Sequence, residues 1–218
     1  MARRAWARQG ISLKGELKMP DVKIEIPAFD VKQTVRFLVT GKTALLMHNP
    51  ASMLKTVGPP GTKTQAQRIP KPEDEAEAGT YKNTDGSFCF PAQAFRKAIV
   101  SASKGLRAGK AGVPGLVMAG VFPVGEWVNL LDEETGKPIR KYEIDIRRAV
   151  PKGQGAVSRA RPKIPYWKCI VEIEVNESFL PVDVVLKLLQ RAGEIIGIGD
   201  YRPEKGGRFG KFKAELMK

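Results

Sequence analysis

The stretch YWKCIVEIEVNESFLPVDVVLKLLQRAGEIIG, residues 166–197, changes period halfway along. Up to Asn176 it alternates. Trp167, Cys169, Val171, Ile173 and Val175 fall on one side, Lys168, Glu172 and Glu174 on the other. That period of two predicts a half-buried β-strand. From Pro181 the spacing becomes helical: Val184, Val185, Leu188, Leu189, Ala192, Ile195 and Ile196 make one apolar stripe. Proline at the start fits the first helical turn, where a missing N–H costs nothing.

Working outward, RFGKFKAEL (208–216) can close the chain as a strand, with Phe209 and Phe212 available for packing. Toward the N-terminus, Val35, Phe37 and Val39 predict a strand over roughly 32–40. SFCFPAQAFRKAIVSASKGL (87–106) predicts a short strand feeding a helix, with Phe95, Ala98, Ile99, Ala102 and Leu106 as its buried stripe. Residues 116–131 read as a second, irregular strand region, interrupted by Pro123 and Gly125. The order is strand, helix, strand, long excursion, strand, helix, strand. It predicts an α+β fold with a ferredoxin-like (RRM-like) βαββαβ core and long insertions. Both helices then cover one face of an antiparallel sheet and leave the other face for ligand. Residues 1–30 read as a basic N-terminal extension and lead-in, with Met19 a candidate second start, and 31–218 as the domain. The domain is interrupted by an insertion at 49–86 and an excursion at 132–165. The insertion, rich in proline and carrying the acidic run 73–77, reads as no part of the core.

The 218 residues carry a net charge of +14, which points to a polyanionic partner. The charge is clustered. Residues 86–125 lack Asp and Glu yet carry Arg96, Lys97, Lys104, Arg107 and Lys110. Residues 136–163 have nine basic side chains against Glu143 and Asp145, a balance of +7. With little apolar mass, that excursion is expected to be mobile alone and ordered by its partner. No apolar run is long enough to span a bilayer, and MARRAWARQG has the charge of a signal peptide without its apolar region. A cytoplasmic location and no membrane partner are therefore expected. Cys89 and Cys169 sit in apolar runs and read as buried thiols; with the lone His48 they cannot build a structural zinc site. No cofactor and no metal are expected.

GIGDYRPEKGGRFGKF (197–212) holds five glycines among charged residues. It follows a helix and lacks a Gly-Lys-Ser/Thr ending, so it is neither a dinucleotide fingerprint nor a P-loop. Successive N–H groups in such a loop (197–210) can form an anion nest, with Gly199, Gly206 and Gly207 giving close approach and Arg202 and Arg208 adding charge; the bland alternative is a helix cap at Gly197 plus an ordinary loop. Arg147, Arg148, Arg159 and Arg161 of the excursion, and Arg96 and Lys97 of the first helix, are further candidates for phosphate contact. Tyr201 and Tyr166 are candidate base stackers, whereas Trp127 and Trp167 read as core. His48, followed by Asn49 in LLMHNP, is a candidate contact with single-stranded nucleic acid.

Phe90, Pro91, Ala92, Phe95, Arg96 and Lys97 in FCFPAQAFRKAIVSAS, together with the glycine-rich loop, resemble the strand–helix motif and C-terminal loop of the RAMP superfamily. The element order is similar to that of the backbone subunits of CRISPR effector complexes, whose excursion is called a thumb. The resemblance implies a non-enzymatic antiviral-defence protein that binds single-stranded RNA through its phosphates, forms a homo-oligomeric filament and joins other effector subunits. The catalytic Asp that target-cutting members keep after the first strand has no counterpart here, so no cleavage role follows from it. Two alternatives stay open: a RAMP endoribonuclease using His48, and a virus- or mobile-element-encoded single-stranded DNA-binding protein.

Overall fold

The strands and helices run β1 (Lys32–Gly41), β2 (Leu45–Leu46), α1 (Pro72–Ala78), β3 (Cys89–Pro91), α2 (Gln93–Ala102), β4 (Arg107–Ala108), β5 (Ala111–Gly112) and α3 (Val113–Gly120). They continue through β6 (Val121–Pro123), β7 (Trp127–Asn129), β8 (Glu143–Ala149), β9 (Val157–Ile164), β10 (Lys168–Asn176), α4 (Val182–Ile195) and β11 (Phe212–Leu216). This is a computed structural model that describes residues 32–51, 71–149 and 157–217. The expected N-terminal extension, much of the proline-rich insertion and the tip of the excursion lie outside the described residues. Among the described residues the chain is a mixed α+β protein with four helices and antiparallel sheets.

The main sheet has the order β11–β1–β10–β6 and is antiparallel throughout. Phe37 lies opposite Val171 and Leu216, and Val39 opposite Cys169 and Ala214. The alternating residues of β1 and β10 are buried on one side, where α2 and α4 pack on each other. Phe95, Ile99, Leu189 and Ala192 fill that layer, all fully buried. Each large apolar side chain buried this way contributes about 1.5–3 kcal/mol. Gly193 lets α4 lie close to β11, since a Cβ there would sit 2.1 Å from the carbonyl oxygen of Phe212.

The other face of the sheet carries ion pairs: Arg36 with Glu172, Lys32 with Glu174, and Lys213 with Glu215. Strand alternation puts no Tyr or Trp on that face among the described residues. Phe122 of β6 lies on this face with 42% of its surface exposed, and the Arg96 guanidinium carbon sits 4.7 Å from its ring centroid. A face whose charges cancel in pairs is a poor platform for a polyanion, and Phe122 is the aromatic ring it exposes among the described residues.

Three local expectations change. Residues 113–120 are a helix and not part of a strand, with Val113 and Val117 buried. The acidic stretch of the insertion is also a helix, α1, which buries Ala76 and packs along β9. The excursion contains an ordered β8–β9 hairpin joined to β2 in a second sheet. Its order comes from within the chain: Glu75 of α1 accepts from Arg159 Nη1 at 2.9 Å and from the Ala160 N–H at 3.0 Å. Trp167 is buried as expected, its Nε1 donating to the Thr43 carbonyl at 3.0 Å, but Trp127 is 50% exposed. Both cysteines are buried, and burial pushes both thiols up.

Candidate functional site

The loop after α4 folds back onto β2. Asp200 N–H donates to the Leu46 carbonyl at 3.0 Å and Gly210 N–H to the Ala44 carbonyl at 2.8 Å. Two glycines are required by backbone contact. At Gly199 (φ +77°) a Cβ would lie 2.4 Å from the Leu46 oxygen, and at Gly207 one would lie 1.7 Å from the Tyr201 oxygen. Gly206 ends the short 3-10 turn Pro203–Lys205 in the left-handed region. The loop N–H groups are mostly occupied: those of Ile198, Asp200, Glu204, Lys205, Gly206, Gly207, Phe209 and Gly210 donate to carbonyls within the chain, and that of Tyr201 to Asp200 Oδ1. The anticipated nest of successive free N–H groups is therefore absent among the described residues. The loop's glycines serve its folding, and any anion must be held by side chains.

Those side chains converge from two directions. The outward face of α2 and the loop wall a groove of about 620 Å³, lined by Arg96, Lys97, Lys104, Arg202 and Lys205 with Glu204 as its acid. Lys97, Lys104 and Lys205 are exposed and make no ion pair among the described residues. Arg96 is held in place: Nε donates to the Val121 carbonyl and Nη2 to the Met118 carbonyl, both at 2.7 Å. Neutral acceptors orient its guanidinium without cancelling its charge. Arg202 differs. Its Nη2 lies 2.7 Å from Glu204 Oε2, and Nη1 donates to the Gly199 carbonyl at 3.0 Å. The hydrogen bond from Ser101, with that from Arg202, holds the Glu204 carboxyl below the usual carboxylate range.

A second, smaller cleft of about 320 Å³ shares Ala94, Lys97, Gly199 and Arg202 with the groove and extends it to His48, Tyr81 and Gln93. His48 is half-buried. Burial lowers its pKa, and Arg161 and Arg159 nearby lower it too, against an opposing pull from Asp200. Burial and the two arginines therefore favour the neutral imidazole. Asn49 is tied into its turn, with Nδ2 donating to the Thr80 carbonyl and Oδ1 accepting from the Ala51 N–H, both at 3.0 Å.

The excursion's arginines behave differently. Arg147 is paired with Asp145 and lies 4.7 Å over the Phe209 ring. Arg159 is paired with Glu75. Arg161, with 9% of its side chain exposed, is paired with Asp200 and stacks on Tyr201 at 5.0 Å. Tyr201 itself donates its hydroxyl to the Arg148 carbonyl at 3.0 Å, so the ring expected to stack on bases is built into the hairpin junction. Its φ of +48° is an uncommon backbone state for a non-glycine residue. Arg148 and Arg208 remain exposed without an ion pair among the described residues, Arg208 lying over Phe209. Tyr166 is 70% exposed.

Lys205 and Lys104 stood out in sequence only as charge, and Tyr81 and Gln93 gave no signal at all. Their role depends on the loop reaching α2, which is a long-range contact. Among the described residues no group of His, Cys, Asp and Glu could hold a metal ion, and no helix is long and apolar enough to cross a membrane.

Fold and groove together define a mixed α+β protein with a cationic cleft between a helix and a glycine-rich loop. In structure the chain matches the crystal structure of Cmr6 from Pyrococcus furiosus over 84% of this chain and 99% of that one, at 11% identity and a TM-score of 0.45. No protein-family model and no curated protein matches it.

Proposed function

We propose that this chain is a single-stranded RNA-binding protein of RAMP type that grips the phosphate backbone in the groove between α2 and the 197–210 loop. The observation that carries the reading is the convergence of two separately basic segments on one groove, where Lys97, Lys104 and Lys205 make no ion pair among the described residues. Cations with no internal partner are the ones a phosphate backbone can use, and each displaces a condensed counterion on binding. The strand order β11–β1–β10–β6 with two helices on one face supports a ferredoxin-like βαββαβ core, to which β2, α1 and the β8–β9 hairpin are additions; the hairpin takes the place of the thumb-like excursion. Arg96 and Arg202 flank the backbone track, Arg148 and Arg208 extend it, and Arg147, Arg159 and Arg161 mainly hold the hairpin.

Binding of a labelled single-stranded RNA, followed against salt, tests this. Affinity is expected to fall on the order of a hundredfold between 50 and 200 mM if roughly five phosphates are neutralised. A flat response refutes the electrostatic premise. Sequencing of nucleic acid that co-purifies with the native protein, and competition by DNA of the same sequence, separate RNA from DNA as ligand. Assembly into a filament, as for an effector backbone subunit, is read by negative-stain imaging of the same sample. In the acidic helix Glu75 turns onto its own hairpin, while Glu73 and Asp74 stay exposed.

Cleavage is a second reading with one observation behind it: His48 lines the smaller cleft beside Asp200. RNA recovered intact after incubation with wild-type protein removes it.

A further inference from the structure

We propose that the smaller cleft at the N-terminal end of α2 receives one unstacked base of the bound strand, the sugar–phosphate backbone running past it in the larger groove. The inference rests on the RNA-binding reading and adds a base subsite to it. The two cavities are neighbours that share Lys97, Gly199 and Arg202 in their walls. A strand whose phosphates meet Lys97 and Arg202 therefore passes the mouth of the cleft. At about 320 Å³ the cleft is at the lower end of the volumes typical of small-ligand pockets, roughly 300–1,000 Å³.

Its lining has the mixed character that a base needs. His48 and Tyr81 supply ring surface above the buried Phe90, and Gln93 supplies an amide. Gln93 is exposed, and its side chain has no partner among the described residues. Unstacked bases are held by stacking on such rings and by hydrogen bonds to their edges, and an amide can both donate and accept. Tyr81 is already fixed. Its hydroxyl donates to the His48 carbonyl at 3.2 Å, and its ring packs at 5.8 Å on Phe90 and at 5.5 Å on Trp127. A wall set before binding costs little ordering entropy when the ligand arrives. A neutral His48 adds a donor and an acceptor without a desolvated charge. Trp127, half exposed, stands behind Tyr81 as the outer layer of the same aromatic group.

The test compares an oligouridylate with a strand of equal length whose riboses are abasic. Wild-type protein is expected to bind the base-bearing strand roughly tenfold more tightly. Tyr81→Leu, His48→Ala and Gln93→Ala should each narrow that gap, whereas Lys97→Glu should weaken both strands alike and leave it. Tyr81 is partly buried; if Tyr81→Leu fails to fold by circular dichroism, His48→Ala and the exposed Gln93→Ala carry the comparison. Equal binding of the two strands, with Lys97→Glu still weakening both, overturns the base pocket and leaves the groove. A gap that survives both His48→Ala and Gln93→Ala also overturns it, because the base is then read elsewhere. Failure of either strand to bind, with no response to salt, removes the RNA-binding reading itself.

Discussion

The β8–β9 hairpin and the groove beside α2 are both rich in cations, and they use them in opposite ways. In the hairpin, Arg147, Arg159 and Arg161 each meet a carboxylate of the same chain. In the groove, Lys97, Lys104 and Lys205 make no ion pair among the described residues, although Lys205 helps lower the Glu204 carboxyl, and Arg96 is oriented by carbonyls. A charge count along the sequence ranks the hairpin first, at +7 over 136–163. Charge left over after folding ranks the groove first. The difference also follows side-chain chemistry. The planar guanidinium suits fixed, bidentate or stacked pairs inside a fold, whereas an ammonium on a flexible stem stays hydrated and available.

The largest effect that tests this contrast is on stability. Arg161→Met removes a cation with 9% of its side chain exposed from Asp200, which is 32% exposed. Loss of one partner of a buried pair costs about 3–5 kcal/mol, and the partial exposure of Asp200 reduces that to about 2–3 kcal/mol. A denaturant titration should show the midpoint falling with an unchanged slope. An unmoved midpoint together with weaker RNA binding would invert the comparison, making the hairpin the free cationic surface. Lys97→Glu comes next, with affinity for single-stranded RNA expected to drop about tenfold at moderate salt and stability unchanged. Lys104→Gln is the milder companion, and each lysine lost as a contact should lower the log–log salt slope by about 0.7. Glu204→Gln goes the other way. It deletes the groove's acid and releases Arg202 from its pair, so binding should tighten by about threefold; a weaker complex would mean that Glu204 positions Arg202 for the ligand.

Much of the fold was legible because it depends on local period. The alternation at 167–175 and the stripe at 184–196 gave β10 and α4, and Val35, Phe37 and Val39 gave β1. The misread segment, LVMAG (116–120) within the helix 113–120, is short and apolar almost throughout, so period cannot separate strand from helix there. The hairpin was hidden for another reason. Its strands expose Ile144 and Ile146, and what orders it is contact with Glu75 and Asp200, far away in sequence. The site divides the same way. The basic face of α2 and the loop were each visible, but their meeting, and with it Tyr81, Gln93 and Lys205, depends on the loop closing onto β2. Charge could be counted from the sequence, whereas pairing could not.

The smallest effects come from the adjacent residues Arg147 and Arg148, and they make the sharpest comparison because type and position are nearly constant. Arg147 donates to both oxygens of Asp145, at 2.5 and 3.0 Å, and lies over Phe209. That hydrogen bond raises its already high pKa further. Arg148 points its side chain into solvent with no ion pair among the described residues. Arg147→Gln should therefore cost about 1 kcal/mol of stability, a partly buried pair's value after solvent screening plus some lost stacking, and leave the salt slope of RNA binding unchanged. Arg148→Gln should leave stability unchanged, weaken binding two- to threefold and lower the slope by up to about 0.7. Two chemically identical substitutions, one position apart, would then separate a cation that holds the fold from one that holds the ligand. Identical effects on binding would mean that Arg147 leaves Asp145 when RNA arrives, and that pairing in the free protein does not identify the contacts of the bound one.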